Sequence, residues 1–498
     1  MSISLENHSA VELIEKLRKG ELTSRELLEY YLQRLDESNH QFNAVVATNI
    51  EQARRQADAA DEAIKKGASL GLLHGLPMTV KDTFEVPGMP CTAGMTQLRH
   101  HYPQHAAFAV QRLLDEGAII FGKTNVPYMA SDIQSYNEVY GTTRNPWNTQ
   151  LTPGGSSGGS AAALAAGLTP LELGSDIAGS IRIPSHYCGS YGHKTSYGLI
   201  PLRGHIPGMP GSISEPDMAV AGPMARTPED LRLLLEILTR QTQTITNGWQ
   251  LQLRSDQRKP LSNFRVLFWM DDADCPVDAE MCRIYENLRL RLEAAGVTVT
   301  IGQPQNLGLE TFYRLYVQQL SGQMMAYAPR IQRWLMRLAA SMVKGLGRIA
   351  ELPRQADLFY RGAGISHADW LGVVEESGQL RERFLTTFSD YDVILAPPTF
   401  TTAPAHDHSR FMAFRKLKVD GRMRHYIDLF MWSAPATLLG LPATSAPIGL
   451  TRHGLPVNVQ IIGAPYADFT TIRFAELLRE LDNETSQGLF SCSAEQTA

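Results

Sequence analysis

"PGGSSGGSAAALAAGLTPLELGSDIAGSIRIPS", Pro153–Ser185, places a glycine–serine cluster on each side of an alanine-rich run. A flexible linker does not explain it. Gly/Ser linkers are not followed directly by SAAALAAG, whose alanines favour a tightly packed helix with Gly167 as its stop. A phosphate loop is also a poor fit, because no Gly-Lys-Ser/Thr follows the glycines. Gly155-Ser-Ser157-Gly-Gly159 matches the letters of a nucleophile elbow, but the preceding Gln150–Pro153 is a weak strand. Ser341-Met-Val-Lys344, Ser135-Tyr-Asn137 and Lys194-Thr-Ser196 together imitate a penicillin-recognising set, in the wrong chain order. The remaining reading is chemical: two loops folded together around a reacting atom.

The bulk properties narrow the class. The chain has 498 residues, 43% hydrophobic and 19% charged, with a net charge of −5. That composition is globular, and it carries no basic excess to meet a phosphate backbone, so no nucleic-acid partner is expected. The first residues lack the pattern of a signal peptide and no apolar run is long enough to span a bilayer. A cytoplasmic protein without a membrane partner is expected, and a homodimer is compatible with this composition. Cys91, Cys188, Cys275, Cys282 and Cys492 are scattered and odd in number, which suits a reducing compartment and supplies no paired zinc ligands. His100, His101 and His105, and the pair His406 and His408, read as loop histidines rather than a metal site. No metal or organic cofactor is expected.

Along the chain, residues 1–65 read as a helical segment packed on the core, with Thr23 and Glu26 as a capping box. From Leu76 the texture turns to short strands: LPMTV, GAIIFGKTN, FRVLFW, VTVTI, YDVILAPP and GLPVNVQIIG. AFAVQRLLDEG reads as an amphipathic segment, helices are predicted around 278–295 and near 470–481, and the region 310–390 reads as helix-rich and polar-faced. No linker or repeat interrupts the sequence, so residues 66–498 are taken with the N-terminal segment as one large α/β domain.

Acyl transfer needs a nucleophile, a base and donors aimed at the developing oxyanion. Ser180 follows Ile177-Ala178-Gly179, small enough for successive N–H groups to converge as in a nest. No histidine is an obvious partner for it. A lysine is: the strand in GLPMTVKDTFEVPG ends at Lys81, and a lysine sealed from water can be neutral and act as a base.

These stretches resemble the amidase signature family of serine hydrolases. G-L-P-x-x-V-K-D, GTTRNPWN, P-G-G-S-S-G-G-S and G-S-D-I-A-G-S-I-R-I-P-S occur in the family's order. ELTSRELLEYYLQRL, FNAVVATN, VAGPMARTPEDLRLLLEIL and LLGLPATSAPIGLTRHGLPVNVQIIG extend the likeness over nearly the whole chain, most weakly between about 240 and 390. The resemblance implies a mixed β-sheet covered by helices on both faces. It makes Ser180 the nucleophile, Lys81 the base and Ser156 the relay between them, held by a cis peptide bond. The oxyanion would meet the N–H groups of Ile177, Ala178, Gly179 and Ser180, with Asp176, Arg182 and Ser157 supporting the loop. Ala178 stands where the family has glycine, and would be strained if that position needs positive φ. Thr195 replaces a proline usual after the lysine of Gly192-His-Lys194.

The activity implied is hydrolysis of a small-molecule carboxylic amide. Tyr128, Met129, Asp428 and Trp432 are the candidate pocket residues, with further lining expected from Tyr128–Ser131, the loop after Ser180 and the region 310–430. Two alternatives remain. One is the glutamine-hydrolysing component of a tRNA-dependent amidotransferase, which Tyr426-Ile-Asp428-Leu-Phe430 resembles. The other is a non-catalytic binding protein on the same fold. GHIPGMPGSISEP, from Gly204 to Pro216, is similar to free-standing amidases, and an intact Lys81, Ser156 and Ser180 argues for catalysis.

Overall fold

The computed structural model describes residues 5, 8–206, 208–240, 251–253, 259–346, 352–409 and 411–484. Cys492 lies outside the described residues. Eleven strands form one sheet. In chain order they are β1 (Val45–Thr48), β2 (Pro77–Lys81), β3 (Ile119–Thr124), β4 (Leu171–Asp176), β5 (Tyr191–Lys194), β6 (Val220–Ala225), β7 (Arg265–Phe268), β8 (Thr298–Ile301), β9 (Val393–Ala396), β10 (Ala443–Leu450) and β11 (Pro456–Ile462). Their order across the sheet is β1-β3-β2-β4-β6-β5-β10-β11-β9-β7-β8. The sheet is mixed: β2 runs parallel to both β3 and β4, while β4 is antiparallel to β6.

Central strands are buried at every position, including Pro77–Lys81, Ile119–Thr124, Leu171–Asp176 and Val220–Ala225. A strand buried on both sides needs cover on both faces of its sheet, and helices supply it. This is the single-domain α/β fold expected from the sequence. The unit of β7, the helix Ala279–Ala294 and β8 is a parallel βαβ crossover, with Gly296 at φ +81 after the helix.

Two local expectations need correction. The N-terminal segment is not purely helical: between helices Ser24–Phe42 and Ile50–Lys65, VVAT forms β1 and closes one edge of the sheet against β3. Its β-branched valines outweigh the helical sequence around it once a sheet edge is available. The region 310–390 is helix-rich but not polar-faced, since the helix Arg330–Leu346 exposes Ile331, Trp334, Leu335, Leu338 and Met342.

The alanine-rich run forms the helix Gly158–Ala165, whose residues through Leu164 are buried. Small side chains let its first turn approach neighbouring backbone directly. A Cβ on Gly159 would lie 2.3 Å from the Asn125 backbone nitrogen. Gly159→Ala should therefore force the helix away and lower the unfolding free energy by roughly 1–3 kcal/mol, as overpacked cores do. The expected reading is a lower urea midpoint at unchanged m-value; an unshifted midpoint would show that the contact is not tight.

Candidate active site

Lys81 ends β2 and lies between the parallel neighbours β3 and β4, at the carboxyl edge where loops can converge. It is fully buried. Its Nζ donates to Ser156 Oγ at 2.7 Å, to Ser175 Oγ at 3.0 Å and to the Ser175 carbonyl at 3.3 Å. Burial pushes its pKa down to about 7, against the opposing pull of Asp176 and Glu172. Such a lysine is half neutral near pH 7, whereas a free one titrates near ~10.4.

The Gly155–Ser156 peptide bond is cis. Ser135 Oγ sits beneath this turn, donating to the Gly154 carbonyl at 3.1 Å and accepting from the Gly158 N–H at 3.1 Å. The Ser157 N–H donates to the Ser180 carbonyl at 3.1 Å, clipping the two glycine-rich loops together. Ser157 Oγ reaches the Ser175 carbonyl at 3.3 Å, a supporting contact within the same unit. Ser156 and Ser180 both line one cavity.

Asp176, at the end of β4, organises the second loop. Its carboxylate accepts from the N–H groups of Gly179 at 2.9 Å and Ile181 at 3.0 Å. Arg182 meets it through Nε at 3.1 Å and Nη2 at 2.9 Å. Both side chains are fully buried, so this is not a surface ion pair. Burial alone would raise the Asp176 carboxyl, but the Arg182 charge and hydrogen bonds hold it down to about 2. The guanidinium is itself satisfied by Gln460 Oε1 at 2.7 Å, Thr437 Oγ1 at 2.8 Å and the Ser433 carbonyl at 3.1 Å.

The four-donor oxyanion set needs correction. The Gly179 N–H is aimed at Asp176, which leaves Ile177, Ala178 and Ser180 as the candidate donors. Gly179 instead supplies conformation: its φ is +86, and a Cβ there would lie 2.4 Å from Ser433 Oγ. Ala178 is not at positive φ, so its departure from glycine introduces no backbone strain. Thr195 is accommodated by a hydrogen bond to the Ala221 carbonyl at 2.9 Å.

The cavity has a volume of about 740 Å³. Of the four pocket residues expected from the sequence, only Met129 lines it. Tyr128 is exposed on the surface. Trp432 is buried core, donating its Nε1 to the Cys275 carbonyl at 3.0 Å and packing edge-on to Trp269. Asp428 is buried and is not part of the lining, whereas Ile427 and Phe430 line the cavity. The apolar lining comes chiefly from Tyr313, Tyr316, Leu320, Met336, Phe359 and Phe414, within the region expected only in outline.

Sequence reasoning misses three polar residues of the site. Ser175 bridges Lys81 to His205, whose Nε2 lies 2.8 Å from Ser175 Oγ. Burial, with the Lys81 charge second, lowers the His205 pKa and keeps the ring neutral. Glu172 lies deeper, held by Thr79 and Thr124, and burial raises its carboxyl to about 8. Glu172 and Ser175, with Asp176 at its end, put polar side chains into a central strand buried at every position, LELGSD, and that mismatch is the signal in the sequence. Among the described residues, no group of His, Cys, Asp and Glu side chains is arranged to hold a metal.

Removing one member of a buried ion pair strands the other charge, at a cost of about 3–5 kcal/mol. Arg182→Ala should lose stability on that scale in urea unfolding. In enzyme still folded, kcat/KM for amide hydrolysis should fall roughly tenfold to a thousandfold, through displaced loop donors. Near wild-type stability and rate together would exclude this role.

Known proteins share this architecture. The Amidase family matches residues 26–472. The curated glutamyl-tRNA(Gln) amidotransferase protein of Synechococcus sp. (strain CC9605), its A component, is 31% identical over 467 residues, covering 90% of this chain and 91% of that protein. A crystal structure of an amidase superposes with a TM-score of 0.75 at 28% identity, covering 95% of this chain and 99% of the other. A bacterial aryl acylamidase of the amidase signature family shares the fold with a TM-score of 0.78 at 23% identity, over 96% of this chain and 97% of its own. From the extent of the family match and the relatives that accompany it, the chain belongs to the Amidase family.

Proposed function

We propose that the protein hydrolyses a carboxylic amide through an acyl-enzyme on Ser180. The observation that carries this reading is the buried Lys81, 2.7 Å from Ser156 Oγ at the edge of a cavity that Ser180 also lines. Neutral Lys81 takes the Ser156 proton as Ser156 takes that of Ser180, and Ser180 Oγ attacks the carbonyl carbon. Ile177, Ala178 and Ser180 N–H groups stabilise the oxyanion. The proton returns through Ser156 to the leaving nitrogen, the C–N bond breaks, and ammonia or an amine departs. Water, deprotonated by the same route, then releases the acid and restores Ser180. Asp176 and Arg182 position the loop.

The relatives named as glutamyl-tRNA(Gln) amidotransferase components favour a second reading, glutamine hydrolysis feeding ammonia to a partner. The cavity supports the free-standing amidase instead. Most of its lining is apolar, with aromatic and methionine side chains prominent beside a polar minority that includes Asp132, Glu215 and Arg354, and the apolar part suits an aryl or alkyl group better than the polar glutamine side chain. Each buried methylene contributes ~0.8 kcal/mol, or about fourfold in kcat/KM. Activity along a series of lengthening alkyl amides should therefore climb by about that factor per carbon until the cavity is filled. A flat series with efficient glutamine turnover, or co-purification with a second protein, would favour the amidotransferase reading.

Two measurements test the catalytic assignment. A fluorophosphonate should label Ser180 alone, and Ser180→Ala should abolish turnover with the fold intact. Because the Lys81 pKa is lowered to about 7, the active neutral form gains population as pH rises through that value. kcat/KM should rise along a limb near pH 7 and flatten above it. Lys81→Ala should erase the limb and most of the rate; a folded variant that keeps both would place the base elsewhere.

A further inference from the structure

The helix Arg330–Leu346 carries two apolar faces. Met336 and Val343, one heptad apart, line the cavity. Ile331, Trp334, Leu335, Leu338 and Met342, at spacings of three, four and seven, form a second stripe in which every side chain is more than half exposed. Arg330, Arg333, Arg337 and Lys344 fall in a third sector along one flank of that stripe, and the helix holds no Asp or Glu. Arg337 is paired with Asp369 at 2.9 Å. Exposed Tyr327, Phe411 and Phe414 line the same cavity as Met336 and Val343, so apolar surface continues from solvent to the interior.

A helix with Trp and Leu on one side and only cations among its charged residues has the composition of one that lies in a lipid interface. We infer that Arg330–Leu346 docks on a bilayer surface containing anionic lipid, and that the substrate is an amphiphilic amide whose apolar chain passes from that surface into the cavity. The substrate half of this inference rests on the proposed amidase chemistry; the docking half does not. The expectation of no membrane partner rests on the lack of a spanning run, and an interfacial helix needs none. A second copy of the chain suits this face less well. A two-fold contact through the stripe would bring two helices with no carboxylate of their own side by side, whereas anionic headgroups complement them.

Vesicle flotation of the full chain tests the docking. Wild-type protein, and equally Ser180→Ala, should float with phosphatidylcholine vesicles containing a minority of phosphatidylglycerol. Binding should be weaker to pure phosphatidylcholine and at high salt. Trp334→Ser with Leu338→Ser should weaken partitioning at least about tenfold. Arg330→Gln with Lys344→Gln should weaken binding to the anionic vesicles alone. All four side chains are surface positions outside the cavity, so hydrolysis of a short water-soluble amide should be unchanged in both double variants, while turnover of a long-chain amide presented in vesicles falls. Equal flotation of wild type and Trp334→Ser/Leu338→Ser overturns the inference. So does a wild-type dimer in sedimentation that this variant splits, which would assign the stripe to a second copy. Normal flotation with no hydrolysis of any amide would retain the docking and remove the proposed chemistry.

Discussion

Everything at the site depends on holding a lysine in the interior without a carboxylate in contact. Two other buried lysines show what this means. Lys123 is paired with Asp82 at 3.0 Å, and although burial works against its charge, nearby Cys91 and Asp82 keep its pKa raised. Lys194 donates to the carbonyls of Thr195 and Leu441, with no carboxylate partner among the described residues, and burial brings it down to about 7. Lys81 follows the second pattern, with two serine hydroxyls and a carbonyl as its acceptors. Neutral acceptors satisfy an ammonium geometrically while doing little to offset desolvation, so its proton is weakly held. Asp176 stays ionised and pulls the lysine upward, but its carboxylate is engaged by Arg182 rather than by the ammonium, and Glu172 is pushed up to about 8, so it adds little negative charge at neutral pH.

The chemistry-bearing part of this arrangement is readable in the sequence because it is local. Lys81 and Asp176 end strands, Ser180 and Arg182 lie in the turn and at the helix start just after Asp176, and Ser156 lies in the glycine-rich turn before the helix Gly158–Ala165, so each falls in a short local stretch. Pocket residues are poorly legible for the opposite reason. Trp432 and Asp428 are near Arg182's partners in sequence, yet whether a side chain faces the cavity or the core turns on a rotation within one short helical turn. Ile427 and Phe430 face in; Asp428 and Trp432 do not. The strand Val45–Thr48 is hidden by strong helical sequence on both sides, since its pairing partner β3 lies far along the chain. The exposed stripe of Arg330–Leu346 is hidden by its cations, which make the segment look solvent-compatible when the residues are averaged rather than placed on faces.

The cavity joins these two levels of organisation. Its floor comes from the compact region between β2 and the loop after β4, and its walls come from the loop segment 202–219 and from segments between about 310 and 430. A rigid floor fixes the reacting groups, while apolar walls decide what can be presented to them. The proposed oxyanion donors and the wall meet directly: the Tyr316 hydroxyl donates to the Ile177 carbonyl at 3.2 Å, one residue before Ala178.

The partners of Arg182 also set an order of assembly in time. Asp176 is six residues away, but Thr437 and Gln460 are 255 and 278 residues further along. A ribosome adding about 5–20 residues per second reaches Gln460 on the order of 15–55 s after Arg182. During that interval the loop bearing Ser180 has its carboxylate anchor but not the groups that lock the guanidinium from the other side. The nucleophile is therefore made early and secured late, which delays a competent site until the segment carrying Thr437 and Gln460 has been made.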